Sequence, residues 1–188
     1  MRAGFICICP PKAVVLGADR HLHRDECTQQ LHAELDKTEE ADVQAAARSA
    51  YAVLPGGGVR AINPGPELSL SQTDTCFAIL KGHLTNRPAL IARVGADAGA
   101  DASDAELLRL MYLKYGVDLL GRLEGQFAFC LYDAKQARVL AARDPSGSHG
   151  LVEGRTAAGS LLICCGTFLP DGAHDVTKIH PGWWAESP

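Results

Sequence analysis

The sequence predicts an α+β domain built mainly of antiparallel strands, and three observations carry that expectation. Short apolar runs rich in β-formers recur between Gly, Pro and Asn positions. Two longer stretches instead space their apolar residues for one face of a helix. The 188 residues, 47% hydrophobic and 21% charged, suit one compact domain over residues 1–188 that buries its core without disulfides or metals.

Taken in order, Ala3 to Cys9 and Ala13 to Ala18 read as two strands around the Pro10-Pro11 turn. Residues from Ala33 to Leu54 carry Leu35, Val43, Ala46, Ala47, Ala50, Tyr51 and Leu54, which predicts a helix ending at Pro55-Gly56. Strands are expected at Val59 to Ile62, Thr75 to Leu80 and Ala89 to Val94, and the small-residue stretch 95–101 reads as a mobile surface loop. Ser103 and Glu106 form a capping box: the serine oxygen covers a free amide, and Leu107, Leu108, Met111 and Tyr115 follow on one face. Gly116 closes that helix, and a short helix runs through Leu119, Leu120 and Leu123. Strands at Gln126 to Tyr132, Arg138 to Ala142, Leu151 to Glu153 and Ser160 to Cys164 then have the spacing of an antiparallel meander. Phe127, Phe129 and Leu131 share a core face, and extended Trp183-Trp184 would expose one ring as a partner surface.

Charge and composition exclude several function classes. The formal charge is -4 and the basic residues are dispersed, so nucleic acid is not an expected partner. No apolar run is long enough for a membrane span, and the apolar start stops at Pro10-Pro11, too early for a secretory signal. The seven cysteines form no paired CxxC set and mostly occupy apolar runs, which suits core thiols in an intracellular, reducing compartment, cytoplasmic or organellar. His21-x-His23 with Cys27 lacks a fourth ligand and reads as solvated loop, so no metal or cofactor is expected. Adjacent Cys164-Cys165 reads as the end of a strand, one thiol inward and one outward.

One string carries more information than these patterns. Ser103-Asp-Ala-Glu106, Tyr115-Gly116, Leu123-Glu-Gly-Gln-Phe-Ala-Phe129, Tyr132-Asp133 and Ala142-Arg-Asp-Pro-Ser-Gly147 resemble, in order and spacing, the glutaminase domain of asparagine synthetases. Lys81-Gly-His-Leu-Thr-Asn86 lies where that family has Asn-Gly-Glu-Ile-Tyr-Asn, and His180-Pro-Gly182 resembles its Pro-Gly turn, so the likeness covers about Thr75 to Trp183. The resemblance implies a class II, N-terminal-nucleophile amidotransferase fold, a four-layer αββα sandwich of antiparallel sheets. Stand-alone size is similar to the plant aluminium-induced, stress-responsive branch, although that branch's Tyr-Gly-Leu and Leu-Arg-Asp-Arg motifs are not present.

The same resemblance exposes a chemical gap. The family needs cysteine directly after the initiator methionine, where the freed amine activates the thiol, and Arg2 stands there. A guanidinium stays protonated and offers no nucleophile. The family's Asn-Gly pair supplies oxyanion donors; Lys81-Gly82 takes its place, keeping an amide but replacing a fixed side-chain amide with a flexible ammonium. Asp104 matches the aspartate that holds the substrate's amino group, and its place in a first helical turn equally suits the helix dipole. His23-Arg24-Asp25 is a poor match to the family's substrate-carboxylate arginine motif. The expected substrate-binding set is therefore Lys81, Gly82 and Asp104, with no catalytic residue. The expectation is an inactive domain with a structural, regulatory or accessory-subunit role, whose partner is a protein, a larger complex or an amino-acid ligand. The alternatives are an amidotransferase activated by N-terminal processing at Cys7 or Cys9, and an amino-acid sensor without turnover.

Overall fold

The computed structural model describes residues 3–10, 49–62, 64–99, 101–166, 169–182 and 184–187, with the side chains of 49 and 184–187 outside that description. Strand β1 (Gly4–Cys9) has the sequence GFICIC, apolar at nearly every position, and all six residues are buried. A run that is apolar without alternation needs cover on both faces, which only a central strand finds. β1 accordingly pairs antiparallel with β3 (Gly57–Ile62) on one side and β9 (Leu161–Cys165) on the other. β2 (Ser49–Leu54) extends the sheet beyond β3, and β8 (Val152–Arg155) and β10 (His174–Lys178) extend it beyond β9.

A second antiparallel sheet of five strands faces the first. Its order is β11 (Trp184–Ser187), β7 (Arg138–Arg143), β6 (Gly125–Asp133), β5 (Cys76–Leu84) and β4 (Leu68–Gln72). Period-two alternation divides its residues. Phe77, Ile79, Ala128, Cys130, Tyr132, Val139 and Ala141 meet Phe5, Cys7, Cys9, Val59, Ile163 and Cys165 between the sheets. Cys76, Ala78, Leu80, Phe127, Phe129, Leu131 and Leu140 point the other way, against helices α1 (Arg87–Val94) and α2 (Asp104–Tyr115). Phe129 is completely buried there. Such a ring contributes about 1.5–3 kcal/mol by leaving water. The outer face of the first sheet is buried too, at Ile6, Ile8, Ile62, Leu162 and Cys164. The fold is thus an α+β sandwich of two antiparallel sheets with helices outside. Among the described residues no helix is long and apolar enough to cross a membrane.

Several expectations hold in detail. Ser103 caps α2 by accepting from the Glu106 amide at 3.2 Å, and Leu107, Leu108 and Met111 are buried. Cys7 and Cys9 fill one face of β1; Cys164 and Cys165 lie on opposite faces of β9 as expected, but Cys164, on the outward face, is buried as well because that face packs with Ile6, Ile8 and Leu162. The segment Gly116–Arg122 is a 3₁₀ helix.

Others are corrected. The helix expected over 33–54 lies outside the described residues up to 48, and its end, Ser49–Leu54, is a strand paired with β3. Pro55-Gly56 does not end a helix but turns a hairpin, with Gly56 at φ 83° and the Tyr132 hydroxyl donating to Pro55 O at 2.8 Å. Ala89 to Val94 is helix, not strand. Asn86 and Pro88 start α1, and its buried residues Leu90 and Val94 are one helical turn apart. The stretch 95–101 includes a 3₁₀ turn, Gly95–Asp97. The expected four-strand meander is two hairpins in different sheets, because Asp144 ends β7 and captures the amides of Phe127, Ser146 and Ser148. Strands β4, β10 and β11 had no clear signal; β10 is exposed throughout and lies at a sheet edge. The strand expected at 13–18 and Trp183 lie outside the described residues.

The hairpin gives a test. A Cβ at Gly57 would meet the Tyr132 ring at 2.8 Å, whereas one at Gly99 meets nothing within 4 Å. Gly57→Ala is expected to cost about 1–3 kcal/mol in urea unfolding, and Gly99→Ala to stay within about 0.5 kcal/mol of the parent. Ser103→Ala, which removes the cap, is expected to cost about 1 kcal/mol in the same assay.

Candidate functional site

The sandwich brings the start of β1 to one end of β5. Ala3 precedes β1, and Arg2 lies outside the described residues, as do His21, His23, Arg24, Asp25 and Cys27. Lys81, two residues beyond the core residue Ile79 on the same face of β5, reaches across and donates from Nζ to Ala3 O at 2.5 Å. Gly82 has φ 103°, and a Cβ there would meet Gln126 O at 2.0 Å and His149 Nε2 at 2.8 Å. Only glycine fits that position. Its amide donates to Glu67 O at 2.7 Å, continuing the pairing of β4 with β5.

Asp104 stands at the first residue of α2, close to the end of β5. Its Oδ2 accepts from the Leu84 amide at 2.9 Å and its Oδ1 from the Arg87 guanidinium, which also donates to Ala102 O at 2.6 Å. The carboxylate thus ties β5, α1 and α2 together. Asn86 does similar work, donating to Arg122 O at 2.8 Å and accepting from the Glu124 amide at 3.3 Å. The structure therefore gathers Lys81 and Gly82 at the start of β1 and places Asp104 against Leu84, three residues further on.

Electrostatics at this end are unusual for a sandwich interior. Burial pushes the Cys165 thiol up to about 11, with Lys81 and Arg143 pulling it back. Hydrogen bonding with Cys130 raises Cys7 well above an ordinary thiol, and hydrogen bonding with Cys7 together with burial does the same for Cys9. Burial and these hydrogen bonds disfavour the thiolate form that a nucleophilic cysteine needs. Burial opposes charge on Asp144, but hydrogen bonds from Ser146 and from the amides of Phe127, Ser146 and Ser148 outweigh it and hold the carboxyl below its usual value. His149, over Gly82, is lowered by burial first and by Lys81 next, against smaller opposing effects of Glu67 and Asp144. Among the described residues no group of three or more His, Cys, Asp or Glu is arranged to hold a metal ion.

Arg87, Arg143 and His149 were not anticipated as site residues. Arg143 lay in the Ala-Arg-Asp string, but nothing in that string told which face it would take. Its placement follows from strand pairing, as does that of His149 from the turn after β7.

Residues 64–166, more than half of the chain, match the family model described as a glutamine amidotransferase domain. The chain belongs to this family. Asparagine synthetase [glutamine-hydrolyzing] 1 of Saccharomyces cerevisiae is 41% identical over 83 residues, covering 43% of this chain and 14% of that protein. Asparagine synthetase B [glutamine-hydrolyzing] of Escherichia coli is 31% identical over 103 residues, 54% of this chain and 19% of that one. The match thus spans less than a fifth of either relative. In fold, glutamine phosphoribosylpyrophosphate amidotransferase from B. subtilis superimposes with a TM-score of 0.54 at 14% identity, over 99% of this chain and 49% of that one. A glutamine aminotransferase class-II domain protein from Silicibacter pomeroyi gives 0.50 at 14%, over 98% and 93%. These structural likenesses show the amidotransferase sandwich, and nothing about activity.

His149 generates a pH expectation. Its folded pKa is below the unfolded value, so the unfolded chain binds the proton more readily. Its contribution to stability is intact at neutral pH and is lost as pH falls from the unfolded histidine value through the folded one. Thermal unfolding of His149→Gln between pH 7.5 and about 5 should show a shallower acid loss than the parent.

Proposed function

We propose that this amidotransferase domain binds rather than turns over, acting as a catalytically inactive structural, regulatory or accessory-subunit domain. One observation carries the reading: at each place that the family resemblance assigns to the substrate, the protein already engages its own groups. Lys81 Nζ is on Ala3 O, the Gly82 amide is on Glu67 O, and both oxygens of Asp104 are taken by Leu84 and Arg87. An oxyanion hole needs donors aimed at an empty position where charge develops. A ladder amide and an ammonium tied to the carbonyl just ahead of β1 do not provide one.

The residue ahead of Ala3 adds to this, because Arg2 has no nucleophilic atom. Release of Cys7 or Cys9 by cleavage would remove Gly4 to Ile6 from the strand that β3 and β9 both pair with. An amino-acid sensor that gripped an ammonium through Asp104 would first have to displace Arg87. The kind of role that remains is association with a partner protein or larger complex.

Purified protein incubated with glutamine is expected to release no ammonia above a protein-free control. Turnover that disappears in Cys7→Ala or Cys9→Ala would overturn the reading and favour the processed enzyme.

A further inference from the structure

The turn that leads into β10 holds two neighbours whose groups can react with each other. Residues 170–173 form it, with the Ala173 amide donating to Pro170 O at 3.1 Å and Gly172 at φ 75°, a conformation that glycine adopts freely. Asp171 and Gly172 are both exposed. Theirs is the only Asp-Gly pair in the sequence, and no Asn-Gly pair occurs. Among the described residues neither the Asp171 carboxylate nor the Gly172 amide is hydrogen-bonded. A free carboxyl thus precedes a free amide, and glycine puts no Cβ in the way of their approach.

The other described aspartates are held away from such chemistry. The amides that follow Asp97, Asp101 and Asp133 donate to Gly95 O, Gly99 O and Thr75 O, and the one after Asp104 donates to Ser69 Oγ. Asp118 is followed by Leu119, fully buried in the 3₁₀ helix. Pro145, after Asp144, has no amide proton, and Thr75 and Val176, after Asp74 and Asp175, carry branched side chains that crowd the nitrogen. At Asp171 the approach requires rotation of the backbone, which breaks only the Ala173 to Pro170 bond of an exposed turn, an opening of low cost.

We infer that Asp171-Gly172 is a site of spontaneous isoaspartate formation, and that its product is a surface substrate for a methyltransferase acting on isoaspartyl carboxylates. The Gly172 nitrogen attacks Asp171 Cγ; the N–Cγ bond forms, the Cγ–OH bond breaks, and the hydroxyl leaves with the amide proton as water. Water then opens the five-membered imide. Addition at Cγ restores aspartate, whereas addition at the Asp171 backbone carbonyl carbon breaks its bond to nitrogen and routes the chain through Cγ, freeing an α-carboxylate. That carboxylate takes the methyl group of S-adenosylmethionine and releases S-adenosylhomocysteine. No oxidant or reductant is needed. Isomerisation lengthens the main chain by one methylene just ahead of Ala173, which packs against Ile6, Ile8, Ile62, Leu162 and Cys164, and His174, which pairs with Arg155. There is little slack, since even a Cβ on Gly172 would meet Ala157 Cβ at 3.1 Å, so the modified turn lifts the start of β10 from the outer face of the first sheet. The site is independent of whether the sandwich turns over glutamine.

The test is to age the folded whole chain in weakly acid buffer, where more of the carboxyl carries the proton that leaves in water, beside a sample unfolded in urea. Trypsin cuts after Arg155 and Lys178 and releases residues 156–178 as one peptide. Its aspartyl and isoaspartyl forms have equal mass, separate chromatographically, and are told apart at position 171 by electron-transfer fragmentation. The isoaspartyl form is expected to accumulate in the folded parent and to be lost in Asp171→Glu, an exposed substitution whose longer side chain cannot close the five-membered ring. A folded parent that stays aspartyl at 171 when the urea sample has converted overturns the site, as does an unchanged signal in Asp171→Glu. Aged native protein is then given a protein-isoaspartate methyltransferase and labelled S-adenosylmethionine. Label on the parent and none on Asp171→Glu is expected; isoaspartate at 171 that takes no label overturns the substrate assignment.

Discussion

The arrangement depends on one constraint, that β1 must be covered on both faces. Its six residues are buried, so the sequence GFICIC is stable only with β3 and β9 at its edges and a packed layer above and below. That requirement sets the rest in order. The second sheet supplies one cover through Phe77, Ile79, Cys130 and Tyr132, and it in turn must be covered by α1 and α2 on its far side. Because β1 is central, its start opens at the edge of the interface between sheets, where the ends of β5 and β7 deliver polar residues. The position of the site is a consequence of core packing, independent of whether any chemistry occurs there.

Under the reading proposed above, the same geometry separates inheritance of fold from inheritance of chemistry. The strings that resemble the amidotransferase family include residues that turn and pin the chain: Asp144 gathers loop amides, Asn86 links α1 to the segment before β6, and Ser103 starts α2. Each satisfies backbone groups that would otherwise be lost to water on folding. The departures cluster at the end of β5, where lysine and histidine flank Gly82. Those changes alter charge while leaving the ladder intact.

What could be read from the sequence was what is local. The Ser103 cap, the common face of Phe127, Phe129 and Leu131, and the alternation of Cys7 and Cys9 all follow from spacings within a few residues. Misreadings arose where one signal has two meanings. Pro55-Gly56 suits both the end of a helix and the corner of a hairpin, and only pairing of Leu54 with Gly57 decides. Ala89 to Val94 is too short for its period to be certain, and packing of Leu90 and Val94 against the second sheet settles it as helix. The site contacts were illegible for a different reason: Lys81 meets Ala3 from 78 residues away, and Lys81 and Arg143 share a row only through Ala128.

Six of the cysteines, Cys7, Cys9, Cys76, Cys130, Cys164 and Cys165, are free and buried, distributed over both sheets and three core clusters. Folded, they are closed to alkylating reagents; opened, each becomes reactive. The molecule therefore carries its own reporters of breathing, one set for the gap between the sheets, one beneath the helices and one on the outer face of the first sheet. Their relative modification rates would rank how readily each layer parts from its neighbour, a map of cooperativity written in the native thiols.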